Sequence, residues 1–214
     1  MSIPAPGPGP ADTGPAGTGP ANPETIFTYG APQLKFGPGA ADEIGFDLSQ
    51  YGVSRALVVT DPGVAATGIP QRVADQMAQF GIEARVFDGV RVEPTDESMN
   101  AAVAQARASG PWDAFVAVGG GSSIDTAKAI NLLLTNPGGL MDYVNAPVGQ
   151  ARAPVNPLKP LVAVPTTTGT GAESTTVCVL DVLSLRVKTG NSHAGPRSTL
   201  AVADPLLTSP SRPG

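Results

Sequence analysis

Cysteine and histidine are nearly missing from this 214-residue chain, which has one of each, Cys178 and His193. A lone cysteine closes no intramolecular disulfide, so a secreted, disulfide-stapled scaffold is excluded, as is a Cys-rich zinc or iron–sulfur site. A cytoplasmic setting is the expectation that follows. Basic charge is also short. Thirteen Lys and Arg against 18 Asp and Glu leave a net charge of −5, which argues against a nucleic-acid-binding surface. No uninterrupted apolar run approaches the ~20 residues that a bilayer requires, so no membrane partner is expected.

Glycine and proline are in excess, at 26 and 23 residues, about twice their usual share. Much of that excess lies in residues 1–24, where Met1 and Ile3 are the only sizeable apolar side chains. Such a stretch buries too little to order itself and is expected to be a disordered tail. It lacks the continuous apolar region of a secretion signal, and no arginine of the kind a transit peptide carries precedes Arg55.

Downstream, hydrophobic periodicity takes over. Ala56–Thr60 is a short apolar run that stops at Asp61-Pro62-Gly63, as a strand buried on both faces would. Ile69, Val73, Met77 and Phe80 recur at helical spacing and end at Gly81. Ala84–Phe87 reads as a second strand. The segment that follows has Thr95 or Asp96 as its N-cap, an apolar stripe through Met99, Val103 and Ala106, and a stop at Gly110. A third strand, Ala114–Val118, runs straight into Gly119-Gly120-Gly121-Ser122, after which Ile124, Ala127, Ile130 and Leu134 mark a helix. Leu161–Val164 repeats the pattern and ends in Pro165-Thr166-Thr167-Thr168-Gly169-Thr170-Gly171. Later apolar segments at Thr176–Leu180 and Leu200–Ala203 extend the sheet or build a neighbouring layer. Strands alternating with helices predict a doubly wound, Rossmann-like parallel α/β sheet, in which ligands bind at the carboxyl ends of the strands.

Both Gly-rich loops fall at such ends. Gly119, Gly120 and Gly121 lack a Cβ, so a phosphate could approach the backbone while the following helix aims its free N–H groups at it. A tight turn would use the same glycines. Asp125 could cap that helix or hydrogen-bond a ribose or a nicotinamide amide. Thr166, Thr167, Thr168 and Thr170 crowd hydroxyls that suit polar cofactor atoms, although a solvated turn has the same composition. Asp61 could accept a bond from an adenosine ribose and disfavour a 2′-phosphate, giving NAD over NADP, or simply build a turn.

Gly119-Gly120-Gly121-Ser122 followed by Asp125-Thr126-Ala127-Lys128, together with Pro165–Glu173, resembles the two N-terminal signature loops of the iron-containing alcohol dehydrogenase family. Arg91–Asp96, Asp142–Gly149 and Pro157–Pro160 are similar to its hydroxyacid–oxoacid transhydrogenase branch. The resemblance runs from about Gly30 to Thr208 and implies a dinucleotide-binding α/β domain over residues 25–208, an irregular end at 209–214, and NAD as cofactor. By motif match, Gly119, Gly120, Gly121 and Ser122 would hold the pyrophosphate, and Asp125 would meet the nicotinamide side. Thr166, Thr167 and Thr170 would line the cofactor, with Asp61 at the ribose and Lys188 as a cofactor-contacting lysine. Glu93 departs from the asparagine of many relatives, so no contact is assigned to it.

The family also holds Fe2+ through an aspartate and three histidines of a C-terminal helical domain. That domain is expected to be missing here, since the matched segment ends at Thr208 and His193 sits in a polar loop without ligand spacing. Asp204 lies in an Asp-Pro strand-end motif and is not taken as a ligand. Implied substrates are small hydroxyacids and oxoacids, such as 4-hydroxybutyrate and 2-oxoglutarate, and relatives that are often dimers leave room for a homo-oligomer. The rival expectation is a non-catalytic truncated product or nucleotide-binding module. Cys178 reads as a buried core thiol.

Overall fold

Runs of buried valine and alanine decide the architecture. In a computed structural model, which describes residues 30–192 and 197–208, the chain begins with strand β1 (Gln33–Phe36), a 3-10 turn at Ala40–Glu43 and helix α1 (Ile44–Ser49). Next come β2 (Arg55–Val59), α2 (Pro62–Ala65), α3 (Ile69–Ala78), β3 (Glu83–Phe87), α4 (Asp96–Ser109), β4 (Ala114–Gly119), α5 (Gly121–Thr135) and α6 (Leu140–Tyr143). Strands β5 (Leu161–Pro165), β6 (Cys178–Val182), β7 (Val187–Asn191) and β8 (Leu200–Ala203), then α7 (Pro205–Thr208), complete it. The expected tail at 1–24, the end at 209–214 and His193 lie outside the described residues.

Six strands form one parallel sheet in the order β1-β8-β5-β4-β2-β3, while β6 and β7 pair antiparallel as a separate ribbon. The later apolar segments therefore divide. Leu200–Ala203 extends the sheet, and Cys178–Val182 builds the neighbouring layer. In the middle of the sheet Val116 lies opposite Val58 on one side and Val162 on the other.

Alternate residues of each central strand face opposite layers. Leu57, Val59, Phe115, Ala117, Leu161 and Ala163 pack with α4, α5 and the ribbon. Ala56, Val58, Val116, Val118, Val162 and Val164 pack with α1 and α3. A strand covered on both faces has no polar side to show, which is why β4 is buried along its whole length.

The helices start and stop for local reasons. Thr95, not Asp96, caps α4 in a reciprocal box: its Oγ1 accepts the Ser98 N–H at 3.1 Å, and Ser98 Oγ accepts the Thr95 N–H at 2.8 Å. Helix α3 ends at Ala78, and Gly81 takes φ +75° just beyond it. Phe80 therefore leaves the expected stripe. It is 43% exposed and packs edge-on against Phe46, with ring centroids 6.3 Å apart. Asn131 on α5 and Asn136, the C-cap residue just beyond it, then pin the long connection into β5. Asn131 exchanges hydrogen bonds with the Lys159 backbone, and Asn136 Oδ1 accepts the N–H groups of Val155 and Asn156.

The two kinds of support differ in size. Thr95→Ala removes one cap and should cost about 1 kcal/mol, whereas Phe115→Ala opens the centre of the sheet and should cost about 3–5 kcal/mol. Urea midpoints measure both, and similar losses would contradict this layering.

Candidate functional site

The winding direction of the sheet reverses at β2. The chain leaves β2 for β3 on one side, then crosses to β4 on the other. The crossovers on either side of such a point diverge and leave a crevice at the carboxyl ends of the strands. Asp61 follows β2 and Gly119 ends β4, so both stand at this reversal.

Close approach is the local rule. Gly119 has φ +151°, and a Cβ there would lie 2.4 Å from Ser123 Oγ. Ser123 Oγ instead donates to Asp61 Oδ2 at 3.3 Å, joining the end of β2 to the first turn of α5, the helix that leaves β4. Asp61 is more than a turn residue. Its Oδ1 accepts the Val64 N–H at 3.0 Å and caps α2, so both carboxylate oxygens already have a protein partner. Each still has a lone pair to offer.

Gly120 is the N-cap of α5, and no side chain caps that end. Its carbonyl accepts the N–H groups of Ser123 and Ile124, while the earlier N–H groups of the helix face outward with the positive end of its dipole. The second loop lies directly against the first. The Thr166 N–H donates to Gly119 O at 3.0 Å. A Cβ on Gly120 would be 3.1 Å from Thr167 Oγ1, and one on Gly121 would be 3.2 Å from Thr170 Cγ2.

Of the residues expected from the sequence, Gly121, Ser122, Asp125, Thr170 and Lys188 line one cavity of about 410 Å³. Thr167 and Thr168 line another of about 430 Å³, with Phe36 and Asp204. Asp61, Gly119, Gly120 and Thr166 line neither and form the frame between the loops. The threonines thus divide between two cavities and do not wrap a single one. Lys188 reaches its cavity from β7, with Nζ 3.5 Å from Asp181 Oδ2. Glu93, unassigned from sequence, also borders the cavity; its φ is +53° and its N–H donates to Ser122 Oγ at 3.2 Å.

Asp125 does not cap α5. It is buried on the helix, where Oδ2 accepts the Val179 N–H of β6 at 3.0 Å and Oδ1 lies 3.5 Å from Lys128 Nζ. Burial raises its carboxyl above the ordinary range, while the Lys128 charge and the Val179 hydrogen bond pull it back. Lys128 carries the complementary effect, its ammonium lowered by burial and supported by Asp125. In the sequence Lys128 stands out only as one position of a motif. A lysine among the apolar positions Ile124, Ala127 and Ile130 was the available signal, because a buried ammonium needs partners.

Cys178 is buried as expected, donating to Asp125 O at 3.2 Å, and burial pushes its thiol well above the usual range. Asp204 serves the backbone: Oδ2 accepts the Ala41 N–H at 3.2 Å and Oδ1 the Leu206 N–H at 3.0 Å. Among the described residues no three His, Cys, Asp or Glu side chains come together as a metal site. No helix among them is long and apolar enough to cross a membrane.

A family model described as iron-containing alcohol dehydrogenase matches residues 31–205. The chain is 44% identical over 183 residues to the mitochondrial hydroxyacid–oxoacid transhydrogenase of Bos taurus, covering 85% of this chain and 39% of that protein. It is 41% identical to the Homo sapiens protein of the same name, with the same two coverages of 85% and 39%. The chain thus spans about two fifths of the length of these curated relatives. Among solved structures, 1,3-propanediol oxidoreductase superposes with TM-score 0.77 at 34% identity, over 85% of this chain and 46% of that one. Sulfoacetaldehyde reductase from Bifidobacterium kashiwanohense, solved in complex with NAD+, gives 0.76 at 29%, over 86% and 47%.

These relatives overturn the cytoplasmic expectation, because both transhydrogenases are named as mitochondrial. A low cysteine count separates disulfide-forming compartments from those that keep thiols reduced, and does not distinguish one reducing compartment from another.

Gly119→Ala should destabilise the fold by about 2 kcal/mol or more, through the strained φ and the clash with Ser123. Thermal unfolding checks this, and a wild-type melting temperature would mean that the β2–β4 junction is looser than these distances imply.

Proposed function

The chain belongs to the iron-containing alcohol dehydrogenase family, and from that premise we propose that it forms the NAD-holding part of a hydroxyacid–oxoacid transhydrogenase. The observation that carries this reading is the junction of two glycine-bearing loops at the β2–β4 reversal, over the uncapped start of α5. Relatives named for that reaction at 41–44% identity support the substrate class, and the NAD+ complex of a structural relative supports the cofactor.

The residues present fit a dinucleotide. Gly120 and Gly121 leave no Cβ between the α5 N–H groups and a bound pyrophosphate, and Ser122 adds a hydroxyl. Asp61 keeps the lone pairs to accept a ribose hydroxyl, and its charge disfavours a 2′-phosphate. Asp125 lines the cavity, where an amide could donate to its carboxylate. Thr166, Thr167 and Thr170 supply polar groups along the second loop, and Lys188 brings a positive charge from the ribbon. With NAD bound, the available chemistry is reversible hydride transfer, from the carbinol carbon of a 4-hydroxybutyrate-like hydroxyacid to the carbonyl carbon of a 2-oxoglutarate-like oxoacid.

Iron does not fit the described residues. The family's ligand set is not among them, and both Asp204 oxygens hold backbone N–H groups.

Titrating the chain with NADH by calorimetry should give saturable one-to-one binding in the micromolar-to-millimolar range; no heat at millimolar NADH on folded protein would overturn the cofactor reading. The chain on its own, supplied with Fe2+, NAD and 4-hydroxybutyrate, should form no NADH, as followed by its near-ultraviolet absorbance. Iron-dependent turnover there would show a donor set that the described residues do not contain.

A further inference from the structure

Lys128 is the most completely shielded charge in the protein's described part, with a side-chain exposure of 0%. Its three N–H donors are all directed at groups outside the repeating hydrogen bonds of helix and sheet. Nζ lies 2.7 Å from Ala172 O and 2.7 Å from Val177 O. The remaining donor faces Thr175 Oγ1 at 3.3 Å and Asp125 Oδ1 at 3.5 Å. Gly171–Val177 belongs to no strand or helix, so these carbonyls have no ladder to join. One lysine side chain takes the place of secondary structure for that stretch, because buried carbonyls and a buried ammonium are each costly alone and satisfied together.

The position of this clamp gives it a consequence beyond stability. The threonine loop is fixed at its near end by the β4–β5 register, Gly119 opposite Pro165, and by the Thr166 N–H on Gly119 O. Its far end is fixed where Lys128 grips Ala172 and Val177. Thr170 lies between the two anchors and rests against Gly121, in the cavity that Asp125 also lines. Lys128 is not among the residues lining that cavity. It reaches the site only through the loop and through Asp125, whose other oxygen is tied to β6.

We propose that Lys128 is a positioning residue that clamps the far end of the threonine loop onto α5, and so sets the approach of Thr170 and Asp125 to the nucleotide without touching it. The inference rests on the nucleotide reading above. It makes a demand that a purely structural lysine would not. Ligands that use both loops should depend on Lys128, and ligands confined to Asp61 and the glycine loop should not.

NADH and ADP serve as the two probes, titrated by calorimetry into the full chain as wild type, Lys128→Met and Lys128→Gln, with folding checked by near-UV circular dichroism. The folded Met variant should lose about tenfold or more in NADH affinity while ADP affinity stays within about threefold, the loss expected when buried carbonyls and a carboxylate lose their donor. Equal losses for both probes would make Lys128 a structural residue alone, and unchanged NADH affinity would remove its role altogether; either result overturns the proposal. If the Met variant does not fold, Gln, which keeps two N–H donors on a neutral head, is read by the same comparison. A Gln variant that also fails to fold overturns the proposal as well. Wild type that binds neither probe defeats the nucleotide reading and the proposal together, whereas wild type that binds both beside unchanged variants defeats the role of Lys128 alone.

Discussion

The register between β4 and β5 is the constraint on which the rest depends. Gly119 lies directly opposite Pro165 at the carboxyl ends of two adjacent parallel strands, so the loops that leave them must emerge side by side. Two loops so close collide unless one gives up its side chains. Glycines 119 to 121 make that concession, and Thr167 and Thr170 press to within 3.1 and 3.2 Å of where the Cβ atoms of Gly120 and Gly121 would be. The same bare backbone that admits the threonines leaves the first N–H groups of α5 open to a ligand. Packing and binding capacity therefore have one cause here.

A second layer of organisation surrounds this contact and is mostly electrostatic. Asp61 ties the end of β2 to the first turn of α5 through Ser123 while capping α2. Asp125 and Lys128 tie α5 to the ribbon and to the threonine loop from inside the core. A buried ion pair adds little net stability against an apolar alternative, but removing one partner leaves the other stranded, so such pairs fix geometry more than they add strength. Around this site the protein uses charges to hold irregular backbone in place, where β-strand ladders cannot reach. The apolar layers on each side of the sheet provide the stability that this arrangement consumes.

Much of the fold was legible in the sequence, because a strand covered on both faces and a helix covered on one leave distinct periodic traces. Ala56–Thr60, Ala114–Val118 and Leu161–Val164 were readable as buried runs, and the stripes of α3, α4 and α5 as helices. Strand β1 was not readable: Leu34 and Phe36 are 68% and 73% exposed, and the strand exists because the edge of β8 accepts it. The ribbon partner Val187–Asn191 was missed for a similar reason, since its pairing with β6 fixes it and not its own pattern. Asp61 was readable as a candidate ribose acceptor or a turn residue, and its capping of α2 was not legible because Asp-Pro-Gly suits a turn and a helix start equally well.

The sequence by itself determined which residues could come close: glycines where a Cβ is forbidden, threonines where hydroxyls are dense, and carboxylates at strand ends. Those properties are local and travel with the residue type. Tertiary structure alone decided that the threonines divide between two cavities, that Asp125 faces β6 and does not cap its helix, and that Lys128 spans from α5 to carbonyls at Ala172 and Val177. Each of those outcomes joins segments dozens of positions apart. Strand order and register set such distances, and no short window of sequence encodes them.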